Sequence, residues 1–181
     1  MSKSDTEQLL STTLREMMTT QSMNHISVAA LTEKACVNRN TFYYHFDDIY
    51  ALLEWTFNQE IIEQVHTNLS VANWQDKYMQ ALMYIKDNRG FCMSALHSVG
   101  RRILESFLYS VGASVVRPVV EDIDNTITTK TKDDIVDFYA GALTAQLIRW
   151  LDGGLVEPKS DLMARADLML TGTIEFITRQ R

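Results

Sequence analysis

The sequence has 181 residues, of which 46% are hydrophobic and 22% charged, with a formal net charge of −6. That balance permits a sizeable globular core and excludes a chain that coats nucleic acid non-specifically. Two cysteines, Cys36 and Cys92, without C-x-x-C spacing exclude a disulfide framework and a zinc site, and they suit a reducing compartment.

No unbroken apolar run reaches the roughly 18 residues of a membrane span. The stretch Met1 to Leu10 is polar and lacks the apolar region of an export signal. A cytoplasmic location without a membrane partner is expected. Two prolines and seven glycines leave room for long helices, and an all-α fold is expected.

Ser4-Asp5-Thr6-Glu7 has the form of a capping box, and Leu9, Leu10, Leu14, Met17 and Met18 follow at helical spacing, predicting a first helix over 5–20. After a polar link, Ser27 caps a short second helix with Val28, Leu31 and Ala35 inward. Cys36-Val37-Asn38 is a tight break. A third short helix over 38–45 carries Arg39, Asn40, Thr41, Phe42, Tyr43, Tyr44 and His45, followed by Phe46. A fourth helix starts at Asp47-Asp48 and runs to about Leu69. Further helices are predicted over 74–88, 91–99, 101–128, 132–152 and 161–178, with Pro118 kinking the longest and Gly153-Gly154 stopping the eighth.

Two short helices joined by a tight turn, the second rich in hydrogen-bonding side chains, form a helix-turn-helix. Val37, Phe42 and Phe46 can face inward, leaving Arg39, Asn40, Thr41, Tyr43, Tyr44 and His45 projecting. Arginine pairs with guanine and asparagine with adenine, while tyrosine hydroxyls at a groove edge donate to phosphate. The first fifty residues are not basic, since Lys3, Arg15, Lys34 and Arg39 stand against six acids. Binding must therefore rest on a few well-placed donors.

The segment from Ile26-Ser27-Val28 to Asn38, and above all the run Thr41-Phe42-Tyr43-Tyr44-His45-Phe46, resembles the TetR family of bacterial regulators. The resemblance implies a DNA-binding domain over 1–47 and a helical dimerisation and effector-sensing domain over 48–181. It implies phosphate contacts from Ser27, Thr41, Tyr43 and His45, and base-edge contacts from Asn38, Arg39, Asn40 and Tyr44. Two positions depart from the family pattern. Cys36 stands where Gly is usual and should be strained. Asp47-Asp48 replaces a phosphate-touching Lys, leaving only the backbone N–H groups of the fourth helix to meet phosphate.

The last two helices have broad apolar faces. The resemblance places dimerisation there, and Phe138, Ala142, Ala145, Trp150, Leu162, Ala166, Met169 and Ile177 are the candidate contacts, although part of each face must serve the protomer's own core. Residues 138–143 and 148–154 are also similar to TetR members that include regulators of dihydroxyacetone-kinase operons, in which a kinase-like protein can be the signal. A small-molecule cavity would be walled by Trp55, Trp74, Tyr78, Met83, Phe91, His97, Phe107 and Tyr109, residue types that equally fill cores. Arg101-Arg102 could hold an anionic effector or be a solvated pair.

Glu63 and His66 form one E-x-x-H, but no second copy exists, and no phosphate loop, zinc motif or nucleophile elbow is present. No catalysis, metal or cofactor is expected. The sequence reads as a homodimeric regulator on palindromic operator DNA, by default a repressor, controlled by a small-molecule or protein effector; a co-activator governed by a protein partner is the alternative.

Overall fold

Capping side chains start the short helices of the first third. The computed structural model describes the backbone of residues 3–66, 74–121 and 127–179, and the side chains of 4–59, 74–121 and 127–172. Among these residues the chain forms nine α-helices and one 3-10 turn, with no strand, the all-α fold read from the sequence.

The first helix, α1 (Lys3–Thr20), is followed by the 3-10 turn Met23–His25. Ser27 then caps α2 (Val28–Lys34), its Oγ accepting from the Ala30 N–H at 3.2 Å. Asn38 caps α3 (Arg39–His45), its Oδ1 accepting from the Asn40 N–H at 2.8 Å. Next come α4 (Ile49–His66), α5 (Trp74–Asp87), α6 (Arg89–Leu96), α7 (Arg101–Glu121), α8 (Thr129–Asp152) and α9 (Lys159–Arg179). One expected boundary is corrected: Thr128 does not end the seventh helix but caps the eighth, its Oγ1 accepting from the Thr131 N–H at 3.2 Å. Pro118 lies inside α7, which runs on to Glu121.

One helix bears on the expectation about membrane spans. By length and composition α7 could cross a membrane, but half of its apolar window is buried inside the protein. Leu104, Leu108, Val111, Val115, Val119 and Val120 are all buried, the pattern of a core helix.

The chain divides into two compact units. Met1–Glu60 with Asn88–Phe107 form the first, and Ile61–Asp87 with Leu108–Arg181 the second. The helix-turn-helix thus shares its unit with α6 and the start of α7. In that unit Phe57 packs on Phe91 and Phe107, with ring centroids 4.6 and 4.8 Å apart. The start of α6 lies on the end of α1. Arg15 donates to Asn88 Oδ1 and sits over the Phe91 ring, while Ser94 Oγ accepts from the Met23 N–H at 3.0 Å and donates to the Gln21 carbonyl.

In the second unit, α7 approaches α8 so closely at Gly112 that a Cβ there would meet the Ala140 carbonyl oxygen at 3.1 Å and its Cα at 3.2 Å. Gln146 ties three helices together: its Nε2 donates to Tyr78 Oη and to the Leu162 carbonyl, each at 3.0 Å. All its partners are buried. Burial pushes the Tyr78 phenol well above its usual range, with small opposing contributions from Arg165 and Glu157.

Candidate nucleic-acid interface

The turn between α2 and α3 closes by two backbone bonds, Val37 N–H to the Thr32 carbonyl at 3.0 Å and Cys36 N–H to the Glu33 carbonyl at 3.2 Å. This pairing is a Schellman ending, and it requires a left-handed residue at Cys36, whose φ is 54°. The conformation expected of a glycine is therefore present with a side chain attached.

Past the turn, α3 sorts its residues by face. Phe42 is fully buried and Phe46 nearly so, with Phe46 packing edge-on against Trp55 of α4 at 5.9 Å. Arg39 and Asn40 are exposed and Thr41 is half-buried. Tyr43 is 57% exposed and Tyr44 77% exposed. Arg39 has no ion-pair partner among the described residues, whereas Lys34 reaches Glu16 of α1 at 3.4 Å.

Three expected contact residues are held by the protein itself. The Ser27 hydroxyl oxygen and the Asn38 carboxamide oxygen serve as caps, leaving the hydroxyl proton of one and the NH2 group of the other for outside acceptors. His45 does not project, which corrects its expected exposure. Its side chain is only 4% exposed, and Nδ1 lies 3.1 Å from Glu7 Oε1 of α1. The inward geometry follows from helical spacing, because His45 stands three residues after the buried Phe42 and shares its side of α3.

At the start of α4 another expectation gives way. The N–H groups of Tyr50 and Ala51 both donate to Asp48 Oδ1 at 2.8 Å. The helix terminus that was to meet phosphate is occupied by a carboxylate of its own chain.

The comparisons with known proteins concern the chain beyond α3 and its overall fold. Residues 72–172 match the TetR-type family described as "Transcriptional regulator C-terminal region". The chain belongs to the TetR family of transcriptional regulators. It is 27% identical over 86 residues to the HTH-type dhaKLM operon transcriptional activator DhaS of Lactococcus lactis subsp. lactis (strain IL1403), an alignment covering 48% of this chain and 46% of that protein. The chain thus matches about half the length of that curated relative. The solved structure titled dihydroxyacetone kinase operon activator DhaS has the same fold, with a TM-score of 0.73 and 22% identity over 94% of this chain and 97% of the other.

The residues expected to wall one cavity fall in both compact units of this TetR-family chain. Trp55, Phe91, His97 and Phe107 belong to the first compact unit, and Trp74, Tyr78, Met83 and Tyr109 to the second. Phe91 and Phe107 are core around Phe57, Trp74 and Tyr78 are buried, and Met83, His97 and Tyr109 are exposed. Arg101 is bonded to Glu105 at 2.8 Å, a local helix pair rather than a free cation. Glu63 and His66 have side chains outside the described residues, and among those described no acid, cysteine and histidine group could hold a metal.

The expected dimer contacts divide as well. Trp150, Leu162 and Ala166 are buried within the protomer, which removes them from that list, because α8 and α9 turn these positions toward their own core. Phe138 is 71% exposed, and Ala142 and Ala145 continue its face at four- and seven-residue spacing. Met169 is exposed on α9 beside Leu168, which sequence reading did not select. Ile177 lies outside the described side chains. The signal for Leu168 was weak: the apolar pattern of α9 runs around most of the helix, and periodicity does not say which part is covered.

Proposed function

We propose that this chain is a sequence-specific, DNA-binding transcriptional regulator of the cytoplasm, acting as a homodimer under the control of an effector at 48–181. The observation that carries the reading is the division of α3. Tyr43 and Tyr44 stand in solvent next to exposed Arg39 and Asn40, while Phe42 anchors the helix from behind. Adjacent exposed tyrosines have apolar surface left in water, and a groove edge with its phosphates would cover it. Base edges are read by Asn38, Arg39, Asn40 and Tyr44, and phosphates are met by Ser27, Thr41 and Tyr43. His45 acts from behind, holding α3 to α1.

The homodimer joins the exposed faces of α8 and α9 through Phe138, Ala142, Ala145, Leu168 and Met169. Two copies of α3 then reach successive major grooves about 34 Å apart on a palindromic site. Activation is favoured over repression, because both named relatives are described as operon activators. Their likeness also favours a place among regulators of dihydroxyacetone-kinase operons.

Selection of bound sequences from a random duplex pool, with Arg39→Ala beside the wild type, tests the reading. A palindromic consensus that the variant loses supports it, and a reporter carrying that consensus gives the sign of regulation. A folded, dimeric wild type that enriches no sequence would overturn it.

A further inference from the structure

The second compact unit holds a cleft that none of the residues discussed for effector binding lines. It has a volume of about 620 Å³, and its walls include Gln146, Arg149, Trp150, Gly153, Glu157 and Arg165, from the end of α8, the following turn and α9. That volume is within the roughly 300–1,000 Å³ of small-molecule sites.

The walls are built rather than incidental. The α8 ending is a Schellman pairing, Leu155 N–H to the Trp150 carbonyl at 2.9 Å and Gly154 N–H to the Leu151 carbonyl at 3.0 Å. It places Gly154 and then Leu155 in left-handed conformations, with φ of 76° and 62°. Trp150 Nε1 donates to the Glu157 carbonyl at 2.8 Å, fastening the turn back onto the helix. Gln146, at the floor, is fixed by Tyr78 and Leu162.

Charge decides what such a cleft accepts. It carries two guanidinium groups against the single carboxylate of Glu157, in a chain whose net charge is −6. Glu157 orients Arg165 through a direct ion pair. The Arg149 guanidinium has no hydrogen-bond or ion-pair partner among the described residues, so its planar array of donors is open. An unpaired guanidinium in the same cleft as one oriented by Glu157 offers donors suited to the two-oxygen edge of a phosphoryl or carboxylate group.

We propose that the cleft between α8 and α9 binds a small oxyanion, a phosphate monoester or a carboxylate, with Arg149 as the principal donor and Arg165 as the second. The binding is independent of whether the chain reads DNA, and its test needs none.

The full chain is titrated calorimetrically with methyl phosphate and with malonate, at constant ionic strength in chloride. Saturable binding of one equivalent per chain is expected, with the stronger probe naming the class. Arg149→Gln is expected to weaken it about tenfold or more, and Arg149→Lys by less, because lysine keeps the charge but loses the fork. Arg149 is exposed, and a thermal melt of each variant verifies the fold. Flat titrations with both probes would overturn the proposal. So would binding that Arg149→Gln leaves unchanged, or an Arg149→Gln effect confined to self-association, which would assign the residue to the dimer face.

Discussion

His45 Nδ1 lies 3.1 Å from Glu7 Oε1, joining the last turn of α3 to the first turns of α1 through side chains that are 4% and 16% exposed. A pair with so little access to water positions a helix, because removing the carboxylate leaves the His45 side chain, 4% exposed, with little water to take its place. Glu7→Ala is expected to destabilise the protein by about 1–3 kcal/mol and to weaken operator binding, although no DNA contact is removed. Glu7→Gln keeps an acceptor and should recover much of both. Melting curves and operator titrations of the two variants measure this, and a Glu7→Ala protein equal to wild type in both would leave the pair without a role.

Asp48 occupies the N–H groups that begin α4 and adds negative charge beside the proposed DNA face. Asp48→Asn preserves a capping oxygen and removes the charge. Its affinity for non-operator duplex should rise, most at low salt, where charge acts over longer distances. Fluorescence anisotropy across a salt series gives the comparison; equal affinities at the lowest salt would count against this role.

Cys36 holds a left-handed conformation that only glycine adopts without cost. Cys36→Gly should stabilise the protein by about 1 kcal/mol, the scale of the steric penalty, less the added freedom of the unfolded chain. Urea midpoints decide the sign.

Much of this region was legible in the sequence because its signals are local. Ser27 announces its helix through chemistry that acts within three residues, and Cys36 stands at a turn that must be left-handed, whereas Asn38, read as the first residue of its helix, is its cap. The partner of His45 was not legible, since Glu7 lies 38 positions away and only the packing of α3 on α1 brings them together. The same holds for α8 and α9. Their apolar residues were visible, but the division into core (Trp150, Leu162, Ala166) and open face (Phe138, Leu168, Met169) depends on how the helices turn about their axes. The α8–α9 cleft was missed for a related reason, as its two arginines are sixteen positions apart on different helices.

Tyr78 gives the stability a dependence on alkaline pH. Its phenol is neutral and buried, and its proton is held more tightly in the folded chain than in the unfolded one. Its contribution is complete below about pH 10, the ordinary phenol value, and is lost as pH rises beyond it. Exposed Tyr109, raised chiefly by its hydrogen bond to Asp137, acts in the same direction but weakly. Denaturation midpoints taken from about pH 8 to about pH 11 should fall more steeply in the wild type than in Tyr78→Phe. Parallel curves would show that the phenol is not responsible.

Phe138 presents 71% of its surface to solvent on the face continued by Ala142 and Ala145. On the proposed homodimer, Phe138→Glu should yield a folded monomer, because a carboxylate brought to a symmetric contact meets its own copy. Sedimentation with a circular-dichroism control separates monomer from misfolded chain, and an unchanged dimer would move the interface elsewhere.

The pairing of cations in the first third of the chain bears on how a regulator finds its site. Lys34 is neutralised by Glu16, and Arg15, though still charged, is held against the protein by Asn88 and the Phe91 ring, while Arg39 remains open at the start of α3. Random chromosomal duplex attracts proteins through loose positive charge, and every molecule so held is withdrawn from its target. A chain that keeps these cations occupied leaves a larger free fraction to sample the genome. Few copies per cell would then suffice to fill a single promoter, and the response could follow small changes in their number.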